Sequence, residues 1–156
     1  MLRRLLLLLP IALGVASVAS AQQLQLQTFE KSTITIATAS GAKKFAVELA
    51  VTPAQEEQGL MFRQRLAPDA GMLFVFGETA TRTFWMKNTL IPLDMLFIAA
   101  DGRIVDIHER AVPLSEDVIA SRAPARAVLE LNGGTVARLG IKTGDVVRHR
   151  SFGNAG

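Results

Sequence analysis

Apolar residues in this chain recur at every second position, in short runs cut by glycine, proline, asparagine and aspartate. That rhythm constrains the fold more than any other feature. Side chains of a strand alternate between its two faces, so period two marks strands with one buried face. The pattern runs through Thr33-Ile34-Thr35-Ile36, breaks at Ala39-Ser40-Gly41 and resumes in Phe45-Ala46-Val47-Glu48-Leu49-Ala50-Val51. It predicts a hairpin with Phe45, Val47, Leu49 and Val51 on the core face. Further strands are expected at Met72–Phe76, Arg82–Met86, Leu93–Ile98, Arg103–Arg110, Ala127–Leu131 and Val146–His149, with Asp101-Gly102 as a hairpin turn. Residues 111–126 hold Pro113 and Pro124 and read as a long loop. Two helices are short. One follows Thr52-Pro53, where threonine suits the N-cap, proline the first position, and Glu56 and Glu57 the positive end of the helix dipole. The other is Thr135–Leu139, with Gly140 placed to cap its end. Together these elements predict one compact α+β domain, mainly antiparallel β, with a small barrel-like sheet and two short helices. The alternation does not itself say whether such a sheet closes.

The first residues stand outside that pattern. Arg3-Arg4 precede an apolar run from Leu5 to Val18, and Ala19-Ser20-Ala21 supplies small residues at the end. A basic start, an apolar run and an A-x-A site predict a secretory signal peptide over 1–21, cleaved after Ala21. The run is short of the roughly 20 residues that span a bilayer. Residues 22–32 are expected as a flexible arm, 33–150 as the globular domain and 151–156 as a frayed tail. Export places the protein in the periplasm or outside the cell, with no membrane span left after cleavage. Removal of Arg3 and Arg4 leaves 15 basic against 14 acidic residues, so the chain has no charge excess to draw it to nucleic acid. The sequence has no cysteine, which excludes thiol catalysis, disulfide exchange and cysteine-held metals.

Several segments stand together in order: Gln58-Gly59-Leu60-Met61-Phe62-Arg63, Gly71-Met72-Leu73-Phe74-Val75-Phe76, and Phe84-Trp85-Met86-Lys87-Asn88-Thr89. Ile91-Pro92-Leu93-Asp94-Met95, Val128-Leu129-Glu130-Leu131-Asn132-Gly133-Gly134 and Gly144-Asp145 follow. From about Phe45 to Arg148 the chain resembles DUF192, a family of small bacterial and archaeal proteins that often carry an export signal. The resemblance implies a compact, mostly β domain. It implies no established activity, so no catalytic residue carries over.

The candidate site residues therefore rest on their own chemistry. Lys87, Asn88 and Thr89 share a turn between apolar strands, where an amine, an amide and a hydroxyl can bind an anion, a carboxylate or a sugar. The same Asn88 and Thr89 could instead bond their own backbone and hold the turn. Asp94 follows closely, and a Lys87–Asp94 pair is expected to support acid–base chemistry if burial shifts their pKa values. Trp85 faces away from Phe84 and Met86; in a strand it reads first as a core residue, and if exposed it stacks on sugar rings or bases. Glu130 interrupts an apolar strand. It reads either as a working carboxylate or as the partner of Arg63 or Arg82.

The expected function is a small binding module of the cell envelope for a small molecule or an envelope protein, built on Trp85, Lys87, Asn88, Thr89, Asp94, Arg63 and Glu130. Two alternatives remain open. One is a hydrolase of envelope sugar or peptide working through Asp94, Glu109 and Glu130. The other is a copper carrier using the thioethers of Met61, Met72, Met86 and Met95. His108-Glu109 lacks the second histidine of a zinc-protease motif. Ser40-Gly41-Ala42-Lys43 matches S-x-x-K in a turn, where that chemistry has no helix to start from. Neither a metal nor a cofactor is expected.

Overall fold

The computed structural model describes residues 26–155. The predicted signal peptide and cleavage site lie outside them. Strands β1 (Glu30–Thr38) and β2 (Gly41–Ala50) form the expected hairpin, with Ile34 opposite Phe45. β3 (Ala70–Ala80) pairs parallel with β2, and β8 (Ala125–Asn132) pairs antiparallel with β3. β5 (Leu93–Ile98), β6 (Ile104–Ala111) and β9 (Val146–Arg148) complete a seven-stranded sheet in the order β6-β5-β8-β3-β2-β1-β9. β4 (Thr83–Phe84) and β7 (Ile119–Ala120) form a separate two-stranded piece. The helices are α1 (Pro53–Gln58) and α2 (Thr135–Leu139). Among the described residues no helix is long and apolar enough to cross a membrane.

The large sheet curls into a half-barrel. Its two ends approach at the Asp101-Gly102 turn, where Val147 N–H donates to Gly102 O at 2.8 Å and Ile104 N–H to Asp145 O at 2.9 Å. Gly102 sits at φ +90°, and a Cβ there would run into the Val147 carbonyl, so this seam requires glycine.

Curling gives the central strands two buried faces. All seven strands contribute to the inner cluster, which includes Ile34, Phe45, Leu73, Leu96, Ile104, Leu129 and Val147. On the outer face Met72, Phe74, Met95, Phe97 and Val128 lie under Leu60, Met86 and Ile91. All six residues of β5 are buried as a result.

Asp94 on β5 projects to the inner face, fully buried, with both oxygens engaged by main chain. Oδ1 accepts from Arg110 N–H at 2.8 Å and Gly134 N–H at 2.9 Å, and Oδ2 from Val136 N–H at 2.8 Å. α2 begins at Gly134 with no side-chain cap of its own. Asp94 supplies that cap from a distant strand and pins Arg110, whose φ is +52°.

Some expected boundaries move. Val51 is exposed because the sheet ends at Ala50, and its N–H goes to Gln55 Oε1 in the cap of α1. The strand expected over Arg82–Met86 shrinks to Thr83–Phe84, since Met86 N–H turns away to Ser115 O. The expected loop 111–126 contains β7 and the start of β8. Glu30 to Ser32, expected within the arm, belong to β1, and Ser151 and Phe152, expected in the tail, lie in a short 3-10 turn.

Replacing Asp94 by alanine strands three main-chain donors, the Val136 N–H fully buried and those of Arg110 and Gly134 partly so, at about 1–3 kcal/mol for a buried donor and less for a partly buried one. Urea denaturation should show Asp94→Ala less stable by at least about 3 kcal/mol, with Asp94→Asn recovering only part. A change within about 0.5 kcal/mol would refute the capping role.

Candidate functional site

The outer layer leaves a cavity of about 310 Å³ between α1, the β3–β4 connection and the 84–89 segment. Its rim and walls follow from local sequence. Thr52 and Gln55 form a capping box that starts α1: Gln55 N–H donates to Thr52 Oγ1 at 3.3 Å, and Thr52 N–H to Gln55 Oε1 at 3.2 Å. The helix then places Glu56 and Glu57 along one edge. Arg82 stands on another edge, its guanidinium 4.0 Å from the Phe76 ring centroid. Arg82 Nε donates to Ala125 O at 3.1 Å, and a second guanidinium nitrogen donates to Glu78 O. Burial raises the pKa of Glu56, and the charge of Arg82 opposes that rise. Phe84 forms a wall, packed edge-to-face on Phe74 at 5.1 Å.

Glu130 lines the cavity from the sheet side. It sits on β8 in register with Met72 of β3 and Met95 of β5, so its neighbours across the sheet are two fully buried thioethers. Only 4% of the residue is exposed. Among the described residues its carboxyl has no hydrogen-bond or ion-pair partner. Burial pushes its pKa up to about 8, so at neutral pH it is mostly the uncharged acid.

Beside the cavity, Trp85 is 45% exposed and not the core residue its strand setting suggests, because β4 ends at Phe84; Lys87 Nζ lies 4.9 Å from its ring centroid. Lys87 and Asn88 line an adjoining hollow with Trp85 and Met61. Thr89 is buried against the main cavity and bonds Lys87 O at 3.3 Å through its hydroxyl. Three loops are knotted here. Phe62 N–H donates to Asn88 O at 2.9 Å and Leu114 N–H to Thr89 O at 3.0 Å. Phe62, Asn88 and Leu114 all hold positive φ, at +65°, +54° and +63°. For bulky residues this conformation is costly and collects at functional sites.

Residues 35–149 match DUF192, a family described as "Uncharacterized ACR". The chain belongs to the DUF192 family. Two solved structures resemble this DUF192 chain. One is a protein from Sinorhizobium meliloti 1021, provisionally described as a transcription regulator. It has 55% identity and a TM-score of 0.78, and the match covers 81% of this chain and 99% of that one. The other, from Novosphingobium aromaticivorans DSM 12444, is described as of unknown function. It has 44% identity and a TM-score of 0.75, with 76% of this chain and 85% of that one covered. No curated protein matches.

Of the seven candidate residues, this DUF192 domain gathers Trp85, Thr89 and Glu130 on one cavity, with Lys87 and Asn88 beside it. Arg63 lies apart, paired with Glu48 at 2.5 Å. Asp94 occupies the opposite face of the sheet, so no Lys87–Asp94 pair forms. The same offset separates two carboxylates of the hydrolase reading, and the third, Glu109, is exposed on β6 and does not line the cavity. Asp94 pairs with Leu131 across the β5–β8 ladder, one position from the Met95–Glu130 pair, and adjacent positions point to opposite faces. These two groups cannot flank one bond. Met72, Met86 and Met95 are fully buried core residues, and of the four methionines in the copper reading only Met61 reaches the cavity lining. The expected arginine partner of Glu130 is missing too: Arg63 serves Glu48, and Arg82 turns its guanidinium to main-chain carbonyls. Sequence reasoning passed over Arg82 and Glu56 as cavity residues. Arg82 stands beside Phe84-Trp85 in sequence, whereas Glu56 carries no local signal beyond its place in the first turn of a helix.

An acid with a raised folded pKa costs stability as pH climbs. Unfolded Glu130 ionises near 4.5, whereas the folded acid stays protonated up to about 8. Stability is therefore lost progressively across that window and is unaffected below it. Glu130→Gln should match the parent near pH 4 and exceed it by on the order of 3 kcal/mol at pH 7. Thermal or urea unfolding at several pH values checks this, and a pH-independent difference would contradict it.

Proposed function

We propose that this DUF192 protein is exported to the cell envelope through a cleaved leader and binds a small molecule there, in the cavity lined by Glu130. The carrying observation is Glu130 itself. A buried carboxyl that has no partner among the described residues and opens only onto an aromatic-walled cavity costs stability at neutral pH, as expected where binding sets the residue. The knotted backbone at Phe62, Asn88 and Leu114 holds the Trp85 side of the site in a preformed shape, which lowers the ordering cost of binding. Export rests on the basic start, apolar run and Ala19-Ser20-Ala21 site. The description of the Sinorhizobium protein as a transcription regulator belongs to that protein. With 15 basic and 14 acidic residues after position 21, this chain has little electrostatic pull on a phosphate backbone.

The sequence has one tryptophan and no tyrosine, so fluorescence reports Trp85 alone. A panel of amines, sugars, amino acids and short peptides should contain compounds that blue-shift this emission and shield it from acrylamide. A panel that moves neither the emission nor the melting temperature overturns the binding reading. Export is checked separately by N-terminal sequencing of protein from a periplasmic extract. The chain should begin at Gln22, and an intact Met1 in the cytoplasm would refute it.

A further inference from the structure

We infer that the cavity takes a small organic cation, an amine on an apolar body, with its ammonium group against the Glu130 carboxyl. The inference rests on the binding reading and names the ligand class for it.

The charges facing Glu130 decide the class. From α1 the cavity receives Glu56 and Glu57, and from the β3–β4 connection Arg82. Across the sheet β3 and β5 present Met72 and Met95, which carry no charge, and the 84–89 segment presents Thr89. Three carboxyl groups thus stand against one guanidinium, and that guanidinium already serves two main-chain carbonyls and the Phe76 ring. An anionic ligand would meet the like charge of Glu56 and Glu57 along the α1 edge, with no free basic group among the lining residues to offset its desolvation. An ammonium meets the reverse. It brings donors to a carboxyl that has none from the described residues, and the Thr89 hydroxyl oxygen has lone pairs to spare. The aromatic walls suit both an apolar body and a cation near ring faces, as Lys87 over Trp85 already shows.

Binding must then move a proton. Free Glu130 is mostly the neutral acid at pH 7. An ammonium within a few ångströms favours the ionised form. The O–H bond of Glu130 breaks, its electron pair stays on the carboxylate, and the proton passes to solvent as the ion pair forms. Each ligand bound below pH 8 therefore releases up to one proton. Affinity should rise by nearly tenfold per pH unit from pH 6 to 7.5.

The test uses the full protein with benzylamine, hexylamine, benzyl alcohol and benzoate. Trp85 emission reports occupancy, and titration calorimetry in phosphate and in HEPES counts protons. The amines should bind at least tenfold more tightly than the alcohol or benzoate, with proton release in both buffers. Glu130→Gln should lose amine affinity at least tenfold, lose the proton release and keep its fold by circular dichroism. Equal binding of alcohol or benzoate overturns the cation inference and leaves the binding reading standing. Amine binding without proton release, or unchanged in Glu130→Gln, overturns Glu130 as the anchor. No binding by either amine overturns the inference, whatever the wider panel shows.

Discussion

Strands β3, β8 and β5 lie between two apolar layers, and that double burial governs every polar group placed on them. An ordinary antiparallel sheet leaves one face to water, where a stray carboxylate costs little. Here Leu129 and Leu131 face the inner cluster while Val128 faces the outer one. A charge on these strands has to be met by donors or surrender its proton.

Among the described residues, β5 and β8 hold one example of each outcome. Asp94 meets three main-chain donors and becomes part of the architecture. Glu130, one register position away on the other face, meets two methionines and a cavity. The contrast separates a residue the fold needs from one the fold tolerates. Only the tolerated residue has bonding capacity left for a ligand.

Much of the fold was readable before any coordinates. The hairpin at Gly41, the turn at Asp101-Gly102, the capped start at Thr52 and the Gly140 stop are set by neighbours in sequence, and each formed as expected. Val51 misled because alternation carries no mark of where pairing stops. The β4 strand was overestimated because Trp85 and Met86 are apolar for other reasons, one for a surface and one for a core. The site was half legible. Asp94 and Glu130 look alike in sequence, each a lone acid in an apolar run. Register alone assigns them to opposite faces, and register is a property of strand pairing, not of either strand.

The rim helix has a consequence for how the cavity opens. α1 has no buried residue. It is fastened instead by polar links: Gln55 serves the cap and also donates to Thr28 O at 2.7 Å, while Gln58 Oε1 accepts from Gln27 N–H at 2.6 Å. Elements held this way sit at the low end of a protein's ladder of local opening energies. α1 is therefore the element expected to unfasten first, as far as Leu60, which anchors the chain in the outer apolar layer, and its amides should exchange ahead of those of the strands beneath.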